Sequence, residues 1–106
     1  MELNEYQRRT RETAIYPDSE AQNYTTLGLN DEAGEVAGAV KKYKRGDYDE
    51  EELRARIKSE SGDVLWYWVR LLDEFDLEAQ EVMEANADKV FDRKDRGVIK
   101  GDGDTR

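Results

Sequence analysis

Apolar residues recur along this chain at three- and four-residue intervals in four stretches, separated by short polar interruptions. The first stretch predicts a helix from about Asn4 to Ala14, with Asn4 as its cap and Gln7, three residues on, reaching back as in a capping box. Pro17 to Asn23 reads as a loop. Beyond it Leu27, Leu29, Ala33, Val36, Ala37, Val40 and Tyr43 keep helical spacing, so a second helix is expected over roughly Thr25 to Arg45. Gly46 suits its C-terminal cap, and Lys41, Lys42, Lys44 and Arg45 suit the negative end of its dipole. Asp49 with Glu52 then opens a third helix, from about Glu50 to Glu74. Asp76 is expected to cap a fourth, which runs to about Arg96 before Gly97 and leaves Val98 to Arg106 as a tail. The fold class this predicts is all-α: four helices with short connections, arranged as bundle-like antiparallel hairpins in one domain of residues 1–106.

Composition sharpens that picture in three ways. A single proline and 41% charged residues against 9% aromatic favour long amphipathic helices over sheets. A hydrophobic share of 37% is low for a chain that must bury its own core, so a second copy is expected to complete it, as a homodimer or homotetramer. The balance of 26 acidic against 17 basic residues, a net charge of −9, opposes attraction to nucleic-acid polymers or anionic membranes. With neither cysteine nor histidine, thiolate and imidazole chemistry are excluded and any metal must be held by oxygen. No leader-like or membrane-length apolar run occurs, which makes the cytoplasm the expected compartment.

The second and third helices carry an anomaly. Wound at about 100° per residue, the second places Glu32 and Glu35 in the sector of Leu29, Val36, Ala39 and Tyr43. The third places Glu60 and Asp63 in the sector of Leu53, Ile57, Val64, Tyr67 and Leu71. Acids on an apolar face repel one another and cost several kcal/mol each to bury uncompensated. The nearby bases Lys41, Lys42, Lys44, Arg45 and Arg54 fall mostly on outward sectors. A divalent cation is the better compensation, and a carboxylate-only donor set favours Mg²⁺, with Mn²⁺ as an alternative. Each pair is spaced i, i+3, so two side chains of one helix reach a common point. A single such pair is usually an ordinary charged helix surface; two matched pairs on successive helices carry the specificity.

These residues resemble a known family. Asp31-Glu32-Ala33-Gly34-Glu35 followed by Glu60-Ser61-Gly62-Asp63 is similar to the E-E-x-x-E and E-x-x-D blocks of the MazG-like all-α pyrophosphohydrolases. Asn86-Ala87-Asp88-Lys89 is similar to the N-x-x-K of the family's last helix, and the likeness runs on from Arg96 into the tail. Asp31 stands where the family usually has Glu, off the inward sector. The resemblance implies hydrolysis of a nucleoside triphosphate between its α and β phosphates, giving a monophosphate and pyrophosphate. It further implies Glu32, Glu35, Glu60 and Asp63 as metal ligands, with one of them, Glu35 for instance, free to serve the attacking water; Glu35 and Glu32 are thus the candidate catalytic residues.

Asn86, Lys89 and Arg93 form one stripe on the fourth helix, which reads either as a solvated face or as donors to phosphate oxygens. Lys100 and Arg106 in the tail are placed to close over phosphates. Tyr67, one turn after Asp63, resembles the family's substrate-contacting aromatic, though core packing accounts for it equally well. Trp66 is a candidate for stacking on a base, and Gln7 for reading a base edge. Two other functions fit the same residues. One keeps the metal site and takes a phosphoribosyl nucleotide; the other is a non-enzymatic acidic helical module whose acids pair with a partner's bases.

Overall fold

The computed structural model describes every residue, Met1–Arg106. It contains four α-helices and no strand: α1 (Leu3–Thr10), α2 (Ala21–Lys44), α3 (Glu50–Glu74) and α4 (Ala79–Asp95), with 3-10 turns at Arg11–Thr13 and Asp18–Glu20. The all-α expectation holds. At 24 and 25 residues, α2 and α3 match in length and pack along each other as an antiparallel hairpin. Neither these nor any other helix is long and apolar enough to cross a membrane.

The hairpin turn follows from local chemistry. Gly46 takes a left-handed φ of 90°, and Asp47 N donates to Lys42 O at 3.0 Å, which closes α2 in a Schellman motif. Asp49 then caps α3, its Oδ1 accepting from Glu52 N at 2.9 Å. The Tyr48 hydroxyl donates to Ala39 O and ties the loop back to α2, while the Arg56 guanidinium lies 4.3 Å over the Tyr48 ring.

Helix α1 crosses the C-terminal half of α3, and α4 packs on both. Val69, Leu72 and Ala79 form the small buried core there, with Leu3, Tyr6, Trp68 and Val82 packed against it. Beside this core the fully buried Arg70 joins three segments. Its guanidinium donates to Tyr16 Oη (3.1 Å), Thr10 Oγ1 (3.2 Å) and Gln7 O (3.4 Å) and pairs with Asp73 (2.7 Å) and Glu74 (3.1 Å). These five contacts match the five N–H donors of the guanidinium, which is what makes a buried arginine tolerable there.

The structure corrects three expectations at helix ends. The first α-helix stops at Thr10, and the chain tightens into a 3-10 turn where α-helix was expected to Ala14. The segment read as a loop from Pro17 to Asn23 is a 3-10 turn leading straight into α2 at Ala21. Asp76 does not open α4; it sits at φ 58° and ends α3, with Leu77 N donating to Leu72 O at 2.9 Å. An aspartate tolerates the left-handed conformation that Gly46 and Gly97 supply elsewhere.

The capping box at Asn4 and Gln7 is also replaced. Gln7 Oε1 accepts from Ala79 N at 2.7 Å and Asn4 Oδ1 accepts from Gln80 N at 3.1 Å, so both cap the start of α4. Gln7 Nε2 also donates to Leu77 O at 2.8 Å. Two side chains of α1 thereby satisfy the orphan amides of a helix more than seventy residues away.

Candidate metal centre

Glu32 on α2 and Glu60 and Asp63 on α3 each bring a carboxylate oxygen within 4.8 Å of the other two. Glu60 and Asp63 project together because they are three residues apart on one helix, and the hairpin sets Glu32 opposite them. Glu32 and Glu60 are half-buried between the helices, and Asp63 is exposed. Glu35 stands outside this close triple and is exposed, but its charge still reaches Glu32. The carboxyl of Glu32 is pushed above the usual range by burial first, then by the charges of Asp63, Glu60, Asp31 and Glu35. No ion pair in the chain involves any of these acids.

That donor set fits a hard divalent cation. Its ligands are carboxylate oxygens alone, and two oxygens on one Mg²⁺ lie at most about 4.2 Å apart, twice a metal–oxygen distance of about 2.1 Å. The three oxygens here all lie within 4.8 Å of one another, a limit little wider than that.

Aromatic residues wall one side. Tyr67, on α3, and Tyr24, on α2, have ring centroids 6.2 Å apart and, with Leu27, Gly28 and Asp31, line a hollow of about 320 Å³. Tyr67 lies over Gly28: a Cβ built there would fall 2.6 Å from Tyr67 Cζ and closer still to Cε1 and Cδ1. The Tyr67 phenol is pushed up to about 12 by burial, then by the Tyr24 hydroxyl and the charges of Glu32 and Asp31. Trp66 backs Tyr67 edge-on at 4.9 Å, and its indole N–H donates to Thr13 Oγ1 at 2.9 Å. From α1, Tyr6 lies close enough to Asp63 for that charge to add to burial in raising its phenol.

The chain matches the model of the MazG nucleotide pyrophosphohydrolase domain over residues 20–98. It belongs to that family. The match takes in both acidic pairs, the aromatic wall and the whole of α4. The chain is also similar to the Gene 37 protein of Mycobacterium phage L5, at 42% identity over a 115-residue alignment spanning all of both chains. No solved structure matches it.

The remaining sequence-predicted residues gather elsewhere. Lys89 Nζ and Arg93 Nη2 both hold Asp104 Oδ1 of the tail, at 2.9 and 3.1 Å, while Asn86 is exposed beside them. Arg106 is folded into the tail itself, donating to Val98 O (3.1 Å), Ile99 O (2.8 Å) and Gly103 O (2.7 Å). Lys100 is exposed. The Gln7 amide is buried, with its nitrogen and its oxygen engaged between α1 and α4. Arg70, which ties α1 and Tyr16 to α3, is a residue the sequence reading passed over. Its signal was present: a lone charge inside the apolar run from Val64 to Leu72, with acids three and four residues on.

Proposed function

We propose that the chain is a metal-dependent nucleoside triphosphate pyrophosphohydrolase that converts a ribo- or deoxynucleoside triphosphate to its monophosphate and pyrophosphate, a reaction suited to clearing unwanted nucleotides. The observation that carries this reading is the convergence of Glu32, Glu60 and Asp63 from two helices, unpaired with any base, in a MazG-family chain. We read residues 1–106 as one catalytic domain with 98–106 as its tail.

In this reading Glu32, Glu60 and Asp63 hold Mg²⁺, or Mn²⁺ in its place. When bound, the metal supplies positive charge to the triphosphate and acidifies water for attack. An acidic protein needs that charge, because its own field repels the substrate. Glu35, exposed and outside the close triple, is the carboxylate free to accept the proton of the attacking water. The water oxygen bonds to the α phosphorus, the bond from that phosphorus to the bridging oxygen breaks, and pyrophosphate leaves with the electron pair. Lys89 and Arg93, with Asn86 beside them, donate to phosphate oxygens. The hollow between Tyr24 and Tyr67 takes the nucleoside, whose base stacks on Tyr67 while Trp66 holds that ring from behind.

The same reading includes a second copy of the chain, as a homodimer or homotetramer. Only ten of 106 residues are buried, and the radius of gyration is 16.7 Å, against about 13 Å for a compact domain of this length. Leu27, Leu65, Met83 and Phe91 remain exposed. Sedimentation equilibrium at micromolar concentration tests this; a monomer there would remove the second copy from the account.

The activity is tested by pyrophosphate release from ribo-, deoxy- and oxidised nucleoside triphosphates with Mg²⁺ or Mn²⁺, comparing the parent with Glu35→Gln and Asp63→Asn. Metal-dependent release that falls at least about a hundredfold in the variants is expected for lost acid–base or metal-binding groups. Absence of release from every nucleotide, or rates unchanged in both variants, overturns the assignment.

A further inference from the structure

The cations of α4 are already occupied. Lys89 and Arg93 converge on one carboxylate, that of Asp104, and Arg93 Nη2 also donates to the Asp104 backbone carbonyl. Next to this contact Arg93 Nε is buried and has no hydrogen-bond partner, although the Arg93 side chain is only 11% exposed. A buried guanidinium donor left open costs free energy and marks a missing acceptor. Asp104 meets Nη2 of Arg93 through its Oδ1 and its backbone carbonyl but leaves Nε unmet, whereas a phosphate free of the tail can present oxygens to Nε and Nη2 together. Asp104 itself is 78% exposed and Lys89 40%, so an anion in solution can reach the pair and compete.

The tail that delivers Asp104 is held by its own last residue. Arg106 donates to three tail carbonyls, and Arg96 Nη2 donates to Arg106 O at 2.6 Å. The segment is thus a closed loop anchored at one end to α4, and only the Asp104 contact crosses the cationic stripe. Within a chain of net charge −9, a carboxylate laid over two of the few clustered cations masks the place where a polyanion would bind.

We propose that Asp104 is a built-in stand-in for a phosphate oxygen: it occupies the Lys89/Arg93 site in the unliganded chain, and the polyphosphate of the substrate displaces it. This rests on the reading of Lys89 and Arg93 as phosphate donors and adds to it that binding is an exchange against the tail. The internal carboxylate holds the two side chains in place and sets a threshold that short or weakly charged anions do not cross.

The test is calorimetric titration of the full chain with inorganic tripolyphosphate in the absence of divalent cations, so that the acidic cluster takes no part. The pairs of Lys89 and Arg93 with Asp104 are exchanged for pairs with phosphate, so Asp104→Asn is expected to bind about three- to tenfold more tightly than the parent, which is about 0.7–1.4 kcal/mol. Asp102→Asn removes the same charge from the same tail at an exposed residue and is expected to bind as the parent does. Adding Lys89→Met to Asp104→Asn is expected to cancel the gain. Equal or weaker binding by Asp104→Asn, with parent binding still dependent on Lys89, overturns the exchange while leaving the phosphate site standing. An equal gain in Asp102→Asn reduces the effect to net charge and also overturns it. If neither parent nor variants bind tripolyphosphate, the phosphate role of Lys89 and Arg93 fails, and the exchange fails with it.

Discussion

The ring of Tyr67 occupies the space that any side chain at position 28 would need. Gly28 is therefore the point at which α3 lays an aromatic face directly on the backbone of α2, one turn from Glu32. Gly28→Ala must push the ring aside and is expected to destabilise the chain by about 1–3 kcal/mol despite alanine's better helix propensity. Gly38, also in α2, meets nothing within 4 Å of a built Cβ, so Gly38→Ala is expected to stabilise by up to about 1 kcal/mol. Urea unfolding of both variants checks the contrast. Ultraviolet titration adds a second readout: the Tyr67 phenol, at about 12 in the parent, is expected to fall toward the ordinary 10.0 once its ring is displaced from the interface.

Arg70 is expected to be the most sensitive single side chain in the fold. Arg70→Met keeps the bulk but leaves Asp73, Glu74 and the Tyr16 hydroxyl without their shared partner. Removing one member of a buried charge cluster costs about 3 kcal/mol or more, a large part of the 5–15 kcal/mol typical of a whole domain. Asp47→Asn, which breaks the exposed pair with Arg45, is expected to cost under about 1 kcal/mol. A shifted urea midpoint at constant slope separates the two.

How far the sequence could be read depended on whether the deciding partner was near in the chain. The helices were legible because their periodicity is local, and the ends at Gly46 and Gly97 because glycine supplies the left-handed residue of the cap. Asp76 misled because aspartate serves both as an N-cap and as a left-handed C′ residue, and only the backbone decides between them. Asn4 and Gln7 looked like a local capping box, but the amides they satisfy belong to Gln80 and Ala79, beyond the reach of any local pattern. The acids of the candidate centre were visible in pairs because i, i+3 spacing on two helices fixes direction. Direction does not fix reach, and Glu35 shares a sector with Glu32 yet stays outside the close triple. The stripe of Lys89 and Arg93 was legible too, but not its partner Asp104, which arrives through a glycine-rich path with no periodicity.

Acid is expected to unfold the chain partly through Glu74. Burial pushes its carboxyl up, but the hydrogen bonds from Tyr16 (2.6 Å) and Arg70 (3.1 Å) and the charges of Arg11 and Arg70 outweigh that and leave it below the usual value. A carboxyl lower in the folded than in the unfolded chain contributes stability that is present above the unfolded value, about 4.3, and lost as pH falls through the folded one. Glu74→Gln is expected to be less stable than the parent at neutral pH, with the gap narrowing below about pH 4 as the parent's own Glu74 protonates. Urea unfolding across that range checks it; a gap independent of pH would assign the loss to packing instead.

Glu32 acts with the opposite sign. Burial first, and then the charges of Asp63, Glu60, Asp31 and Glu35, raise its carboxyl in the folded chain. Its contribution is therefore complete below the unfolded value, about 4.3, and is lost as pH rises through the folded one. At neutral pH the clustered acids weigh against the metal-free fold, and a cation bound among them removes that penalty. Mg²⁺ at tenfold excess over its dissociation constant is expected to add about 1.4 kcal/mol, seen as a higher Tm that a chelator reverses and that fades on acidification as protons compete for the ligands. Glu32→Gln removes one repelling charge and one ligand together. In chelator at neutral pH it is expected to melt above the parent, and in Mg²⁺ to show little further rise. These two shifts differ in sign from what simple damage to the helix hairpin would give, since damage lowers Tm in both conditions. A variant that melts below the parent in chelator and still gains the full increment from Mg²⁺ would mean that the cation binds somewhere other than among Glu32, Glu60 and Asp63.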